Sequence, residues 1–102
     1  MTRLRFYVGT TDEQGGPFSH VAARAHLVSI FGGYTAFHAK GAWRSEDAVG
    51  PSIVYEVLTN NVEWEDTWSR ANRVPDLART LRDLCSQMCV LYTVETVQGA
   101  FV

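Results

Sequence analysis

Glu56 interrupts an apolar run, Ile53-Val54-Tyr55-Glu56-Val57-Leu58, and a carboxylate so placed has two readings. On a sheet face shared with Arg3 and Arg5 it forms a cross-strand ion pair with Arg5. In a partly dry cleft its pKa rises, and it then serves as a general base or accepts a hydrogen bond from a ligand's amine or hydroxyl. His38 is a second candidate proton carrier, or it is a packed or solvated side chain. Trp43 and Arg44 stand side by side, a ring able to stack on a planar ligand next to a guanidinium able to hold an anion. The plainer alternative is a packed Trp beside a solvent-facing Arg. With Arg5 and Tyr7, these residues make the candidate ligand-binding set: Glu56, Trp43, Arg44, Arg5, Tyr7 and His38.

Other chemistries find little support. His20, His26 and His38 share no metal-ligand spacing, and Cys85 and Cys89 form a C-x3-C pair without the second pair that zinc requires. No metal site is expected, and both cysteines are expected to be buried free thiols in a reducing cytoplasm. The glycines between Gly9 and Gly16 spell neither a dinucleotide fingerprint nor a Walker loop, so no cofactor is expected. No G-x-S-x-G occurs, and neither cysteine has an identifiable His and acid beside it, which leaves no catalytic residue to assign.

These residues must be positioned by a small fold. A chain of 102 residues has room for one core, and 46% hydrophobic content is enough to build it. Eleven acids against nine bases give a net charge of −2, so there is no basic footprint for nucleic acid. The opening MTRLRFYVGT has no hydrophobic segment of signal-peptide length. The chain is therefore expected to be cytoplasmic and to have no membrane partner.

Alternation over residues 3–8 predicts a first strand with Leu4, Phe6 and Val8 inward. Turn formers follow, and Ser19 is placed to cap a helix over residues 20–31 that ends at Gly32-Gly33. Residues 34–43 read as a second strand, with Thr35, Phe37, Ala39 and Trp43 on one face and Tyr34, Ala36, His38 and Lys40 on the other. The Ser-Glu-Asp-Ala-Val-Gly-Pro run over residues 45–51 reads as a short turn, and a third strand over residues 53–59 forms a hairpin with the second. Residues 60–74, with Trp64 and Trp68, have no clean period and read as an ordered excursion whose tryptophans form a lid or pack over the sheet.

Pro75 suits a first helical position, and Leu77, Leu81, Leu84, Cys85 and Met88 continue an apolar stripe. Alternation returns over residues 89–97 with Val90, Tyr92 and Val94 inward, and the apolar end at Ala100-Phe101-Val102 is expected to pack. The order is that of an α+β, ferredoxin-like βαββαβ sandwich in a single domain spanning residues 1–102. It has an antiparallel four-stranded sheet, two helices on one face, and strands one and three in the middle. The helix-free face carries apolar side chains, which points to a homo-oligomer with a ligand cleft between subunits.

Tyr7-Val8-Gly9-Thr10, Phe31-Gly32-Gly33-Tyr34-Thr35, Gly41-Ala42-Trp43 and the closing Ala100-Phe101-Val102 resemble small phage and prophage proteins of ferredoxin-like fold, over nearly the whole length. That resemblance implies a phage origin and the fold; the absent motif and the apolar helix-free face lead to the expectation of a phage-type binding protein with no catalysis of its own. It captures a small ligand, nucleotide-like among the options, or a host protein, and so counters a host defence. The layout also resembles the PII-like signalling trimers, whose long loop between strands two and three this chain lacks. It is similar too to dimeric α+β barrel enzymes, which implies an alternative in which Glu56 or His38 transfers a proton while Trp43 and Arg44 orient substrate. A structural or assembly role is the third option.

Overall fold

The computed structural model describes residues 1–11, 16–42, 49–69 and 72–102. Trp43 and Arg44 lie outside the described residues. Four strands, β1 (Thr2–Gly9), β2 (Thr35–Ala42), β3 (Val49–Thr59) and β4 (Leu91–Thr96), form one antiparallel sheet in the order β2-β3-β1-β4. Helix α1 (Val21–Phe31) joins β1 to β2. The β3 to β4 connection carries a short α2 (Asn61–Glu63), a π-helical turn (Trp64–Ser69) and α3 (Arg73–Leu84). This is the expected ferredoxin-like arrangement, with strands one and three central.

The register assigns every strand residue to a face. Leu4 lies opposite Val57, Phe6 opposite Tyr55 and Val8 opposite Ile53, so these six point together toward the helices. Against them pack Ala23 and Leu27 of α1, Val74, Leu77, Ala78 and Leu81 of α3, and Trp68 and Cys85. Leu4, Phe6, Leu27 and Leu81 are fully buried; each such side chain contributes about 1.5–3 kcal/mol relative to exposure. Only the two central strands are covered this well. Tyr92 and Val94 do face the core side, opposite Phe6 and Leu4, yet stay 37% and 42% exposed on the edge strand.

Several expectations are corrected. Strand β3 starts at Val49, so Gly50 and Pro51 belong to the strand rather than to a turn. A proline is tolerated there because its carbonyl, accepting from the Thr10 amide at 3.2 Å, faces the side where β1 ends at Gly9, so the missing N–H interrupts no ladder. Helix α3 begins at Arg73, two residues before Pro75, which still falls within the first turn where amides lack helical partners. It ends at Leu84, because Ser86 takes φ +49° and turns the chain; Met88 is therefore 68% exposed rather than part of the stripe. Strand β4 is shorter than residues 89–97, and Phe101 and Val102 are exposed rather than packed. Cys85 is buried as expected, whereas Cys89 is exposed.

At the helix ends, the Ser19 hydroxyl accepts from the Val21 amide at 3.3 Å, although His20 holds the capping position. Gly32, at φ +78°, returns its amide to the Val28 carbonyl at 2.8 Å, the left-handed stop that a glycine allows. Asn60 caps the excursion by accepting from the Glu63 amide. The following π turn is wider than 3.6 residues, which is why residues 60–74 showed no helical period. It turns Trp68 inward, 2% exposed, onto Phe31 at a ring separation of 4.8 Å, with the Arg73 guanidinium 4.9 Å from its ring. Trp64 packs half-buried against the same core. Trp64 and Trp68 are packing groups.

Candidate functional site

The predicted set divides between the two faces of the sheet. Arg5 is the direct partner of Glu56 across β1 and β3, and its Nε donates to the Glu56 carboxylate at 2.8 Å. Glu56 raises the Arg5 pKa further through that bond. Tyr7 and Phe37 share this open face, the register pairing them with Val54, and the Arg5 guanidinium lies 5.7 Å from the Phe37 ring. Arg3 pairs with Glu95 at 2.7 Å on the same face. The open face is thus a striped one, with Phe37, Leu58 and Leu91 exposed between ion pairs rather than a continuous apolar surface. Its charges neutralise each other. His38 lies opposite Ile53, hence on the helix side of β2, and is exposed there. The structure therefore brings Glu56, Arg5 and Tyr7 together and leaves His38 on the other side.

A different constellation occupies the helix side. His20 sits just before α1 and is 3% exposed, and its ring bridges two strands: Nε2 is 2.8 Å from the Gly9 carbonyl and Nδ1 is 2.7 Å from the Tyr55 hydroxyl. A carbonyl only accepts, so Nε2 carries the proton and donates to Gly9. Nδ1 must then accept, and Tyr55 donates its hydroxyl proton to it. Arg24, one turn into α1, donates from Nε to the Tyr55 oxygen at 3.3 Å. The hydrogen bonds run in one direction, Arg24 to Tyr55 to His20 to Gly9.

The electrostatics agree with that direction. Burial pushes the His20 pKa down, and the Arg24 charge lowers it further against the opposing Gly9 bond; the neutral imidazole is the form that can accept from Tyr55. Burial also raises the Tyr55 pKa, opposed by the Arg24 hydrogen bond. The Cys85 thiol, buried beside them, is pushed up to about 11 by desolvation, with Arg24 opposing. Tyr34 meets Tyr55 edge to face at 5.3 Å and is itself half-buried. The corner thus has the Tyr55 phenol, the Cys85 thiol and the His20 imidazole held in their neutral forms around one exposed guanidinium. Among the described residues no group of three or more His, Cys, Asp or Glu is placed to hold a metal ion.

Sequence reasoning missed this corner. Two signals for it were present: His20, Arg24 and Leu27 fall at helical spacing on one face of α1, and Tyr55 alternates into the core, where its hydroxyl requires a partner. The partners are 35 residues apart, so no local spacing joins them.

Comparison with known proteins gives one kind of likeness. No protein-family model matches the sequence, and no curated protein matches it. Among solved structures, the chain is similar to a phage SAM lyase in complex with S-methyl-5'-thioadenosine, at a TM-score of 0.66 and 11% identity, over 92% of this chain and 79% of that one. It is also similar to a phage SAM lyase in the apo state, at a TM-score of 0.68 and 14% identity, over 92% of this chain and 78% of that one. At such identities the likeness is one of fold. The chain is an α+β protein whose structural neighbours include phage proteins, and none of its helices is long and apolar enough to cross a membrane among the described residues.

Proposed function

We propose that the chain is a phage-type, homo-oligomeric binding protein that captures an S-adenosyl or methylthioadenosyl small molecule, withholding it from the host and so blunting a host defence. The observation that supports this is the shared fold, over 92% of the chain, with a phage SAM lyase holding S-methyl-5'-thioadenosine. The helix-side corner suits such a ligand: Tyr34 offers an aromatic surface, and the exposed Arg24 offers terminal donors that have no partner among the described residues. Exposed Phe37, Leu58 and Leu91 on the open face supply apolar area for a second copy to cover.

Isothermal titration of the purified chain with S-methyl-5'-thioadenosine and with S-adenosylmethionine, alongside native mass spectrometry, tests the reading. Saturable micromolar binding by an oligomer supports it. A monomer that binds neither molecule overturns it, and capture of a host protein by that monomer would favour the protein-partner alternative.

A second reading is favoured by the neighbour being a lyase. Here a base removes the Cβ proton of the methionyl arm, the Cβ–Cγ double bond forms, and the Cγ–S bond breaks with its electron pair going to the sulfonium sulfur. The products are S-methyl-5'-thioadenosine and an unsaturated amino acid. Glu56 or His38 would be that base. Chromatography of S-adenosylmethionine incubated with the chain detects the thioether. Loss of turnover with retained binding in Glu56→Gln favours this reading, and absence of the thioether excludes it.

A further inference from the structure

Six arginines lie among the described residues, and five have evident occupations. Arg3, Arg5, Arg79 and Arg82 pair with Glu95, Glu56, Asp76 and Asp83, and Arg73 lies over the Trp68 ring. Arg24 differs. It is tied through Nε alone, to a neutral phenol, and its two terminal nitrogens have no partner among the described residues. That tether is not incidental to the surface. The Tyr55 oxygen can accept from Arg24 because its proton is committed to His20 Nδ1, and His20 is committed because its other nitrogen donates to Gly9. Two buried hydrogen bonds and a part-buried third thus aim one exposed guanidinium, and the described groups facing it (Tyr55, Tyr34, Cys85 and His20) include no carboxylate.

We propose that Arg24 is the carboxylate anchor of the ligand site, its free terminal nitrogens gripping the amino-acid carboxylate of an S-adenosyl ligand, with Tyr55 and His20 as positioning residues. This rests on the adenosyl-ligand reading above and sharpens it. The preferred ligand carries the amino-acid arm, as S-adenosylmethionine and S-adenosylhomocysteine do and S-methyl-5'-thioadenosine does not. The planar fork of a guanidinium matches a carboxylate with paired, charge-assisted bonds that a lysine ammonium does not reproduce.

The test is a selectivity measurement by isothermal titration, with S-adenosylhomocysteine and S-methyl-5'-thioadenosine as probes, on variants whose circular dichroism matches the parent chain. The parent should prefer S-adenosylhomocysteine. Arg24→Gln should lower that affinity by about ten- to a hundredfold, the span of a charge-assisted pair, and leave the thioadenosine affinity unchanged. Arg24→Lys should recover part of the loss, and Tyr55→Phe should reduce the preference by a smaller factor, again without moving the thioadenosine affinity. Equal losses for both probes in Arg24→Gln, or no loss for either, overturn the anchor and leave the adenosyl reading standing. A parent chain that binds neither probe removes both.

Discussion

Replacing Tyr55 by Phe removes one oxygen and keeps the ring, so the cost can be worked from the hydrogen bonds alone. The ring remains packed edge to face on Tyr34 at 5.3 Å. Arg24 is exposed, and water replaces the phenol at its Nε at little cost. His20 Nδ1 has no such recourse: it lies in a side chain 3% exposed, and the lost partner stood 2.7 Å away. Leaving a buried acceptor unpaired costs about 1–3 kcal/mol, which in a domain of this size lowers the melting temperature by roughly 4–20 °C. Urea and thermal unfolding followed by circular dichroism measure it. A double-mutant cycle with His20→Ala isolates the pair: once the imidazole is gone, Tyr55→Phe should cost only a few tenths of a kcal/mol, leaving a coupling of about 1 kcal/mol or more. If Tyr55→Phe costs the same in both backgrounds, the directed chain through His20 is wrong.

Three further outcomes follow from the same geometry. Because burial lowers the folded-state His20 pKa below the ordinary 6.5, the unfolded chain binds more protons below that pH. Stability from this group is complete above about pH 6.5 and falls as pH drops through the lowered folded value, and His20→Ala should flatten that limb of a stability-against-pH curve. A disulfide reagent such as dithionitrobenzoate should titrate one thiol quickly in the native chain, exposed Cys89, while Cys85, buried and pushed up to about 11, reacts only on unfolding; two fast thiols would contradict the burial. Glu56→Gln should cost about 1 kcal/mol or less, because both partners of the 2.8 Å pair keep some exposure, and the cost should shrink in 1 M salt; a salt-independent loss well above that would mean that Glu56 does more than brace the sheet.

What the sequence made legible follows how local each signal was. The alternation of β1 and the stripe through Leu77 and Leu81 are single-element patterns, and both elements stand where those patterns put them. The Arg5–Glu56 pair was readable because the fold makes β1 and β3 neighbours, and the register sets those two residues directly opposite. Gly50-Pro51 misled because a proline usually breaks a ladder, and only the early end of β1 makes it harmless. His38 was grouped with Glu56 although the alternation along β2 already put it on the face opposite Phe37; what was lacking was the register linking the faces of β2 and β3. His20 and Tyr55 meet only after α1 folds onto the sheet, so their bond exists at the level of packing and has no trace in spacing.

That difference bears on how a ligand class is carried between proteins of one fold. At 11–14% identity a shared backbone preserves where strands and helices stand, but few of the side chains that hold a ligand, so residues must be assigned anew from local chemistry. On this chain the two sheet faces differ in one respect that selects between them. The open face pairs Arg5 with Glu56 and Arg3 with Glu95, so an incoming ion would have to displace an internal partner before it gained anything. At the helix-side corner the Tyr55–His20 and His20–Gly9 bonds are buried and neutral, while the charge they position is exposed and has no ionic partner among the described residues. An anionic ligand arm arriving there breaks no ion pair and finds its donors already oriented, which reduces the ordering cost of binding. On physical grounds, then, the corner that the strand patterns did not announce is the better place for a ligand than the face that they did.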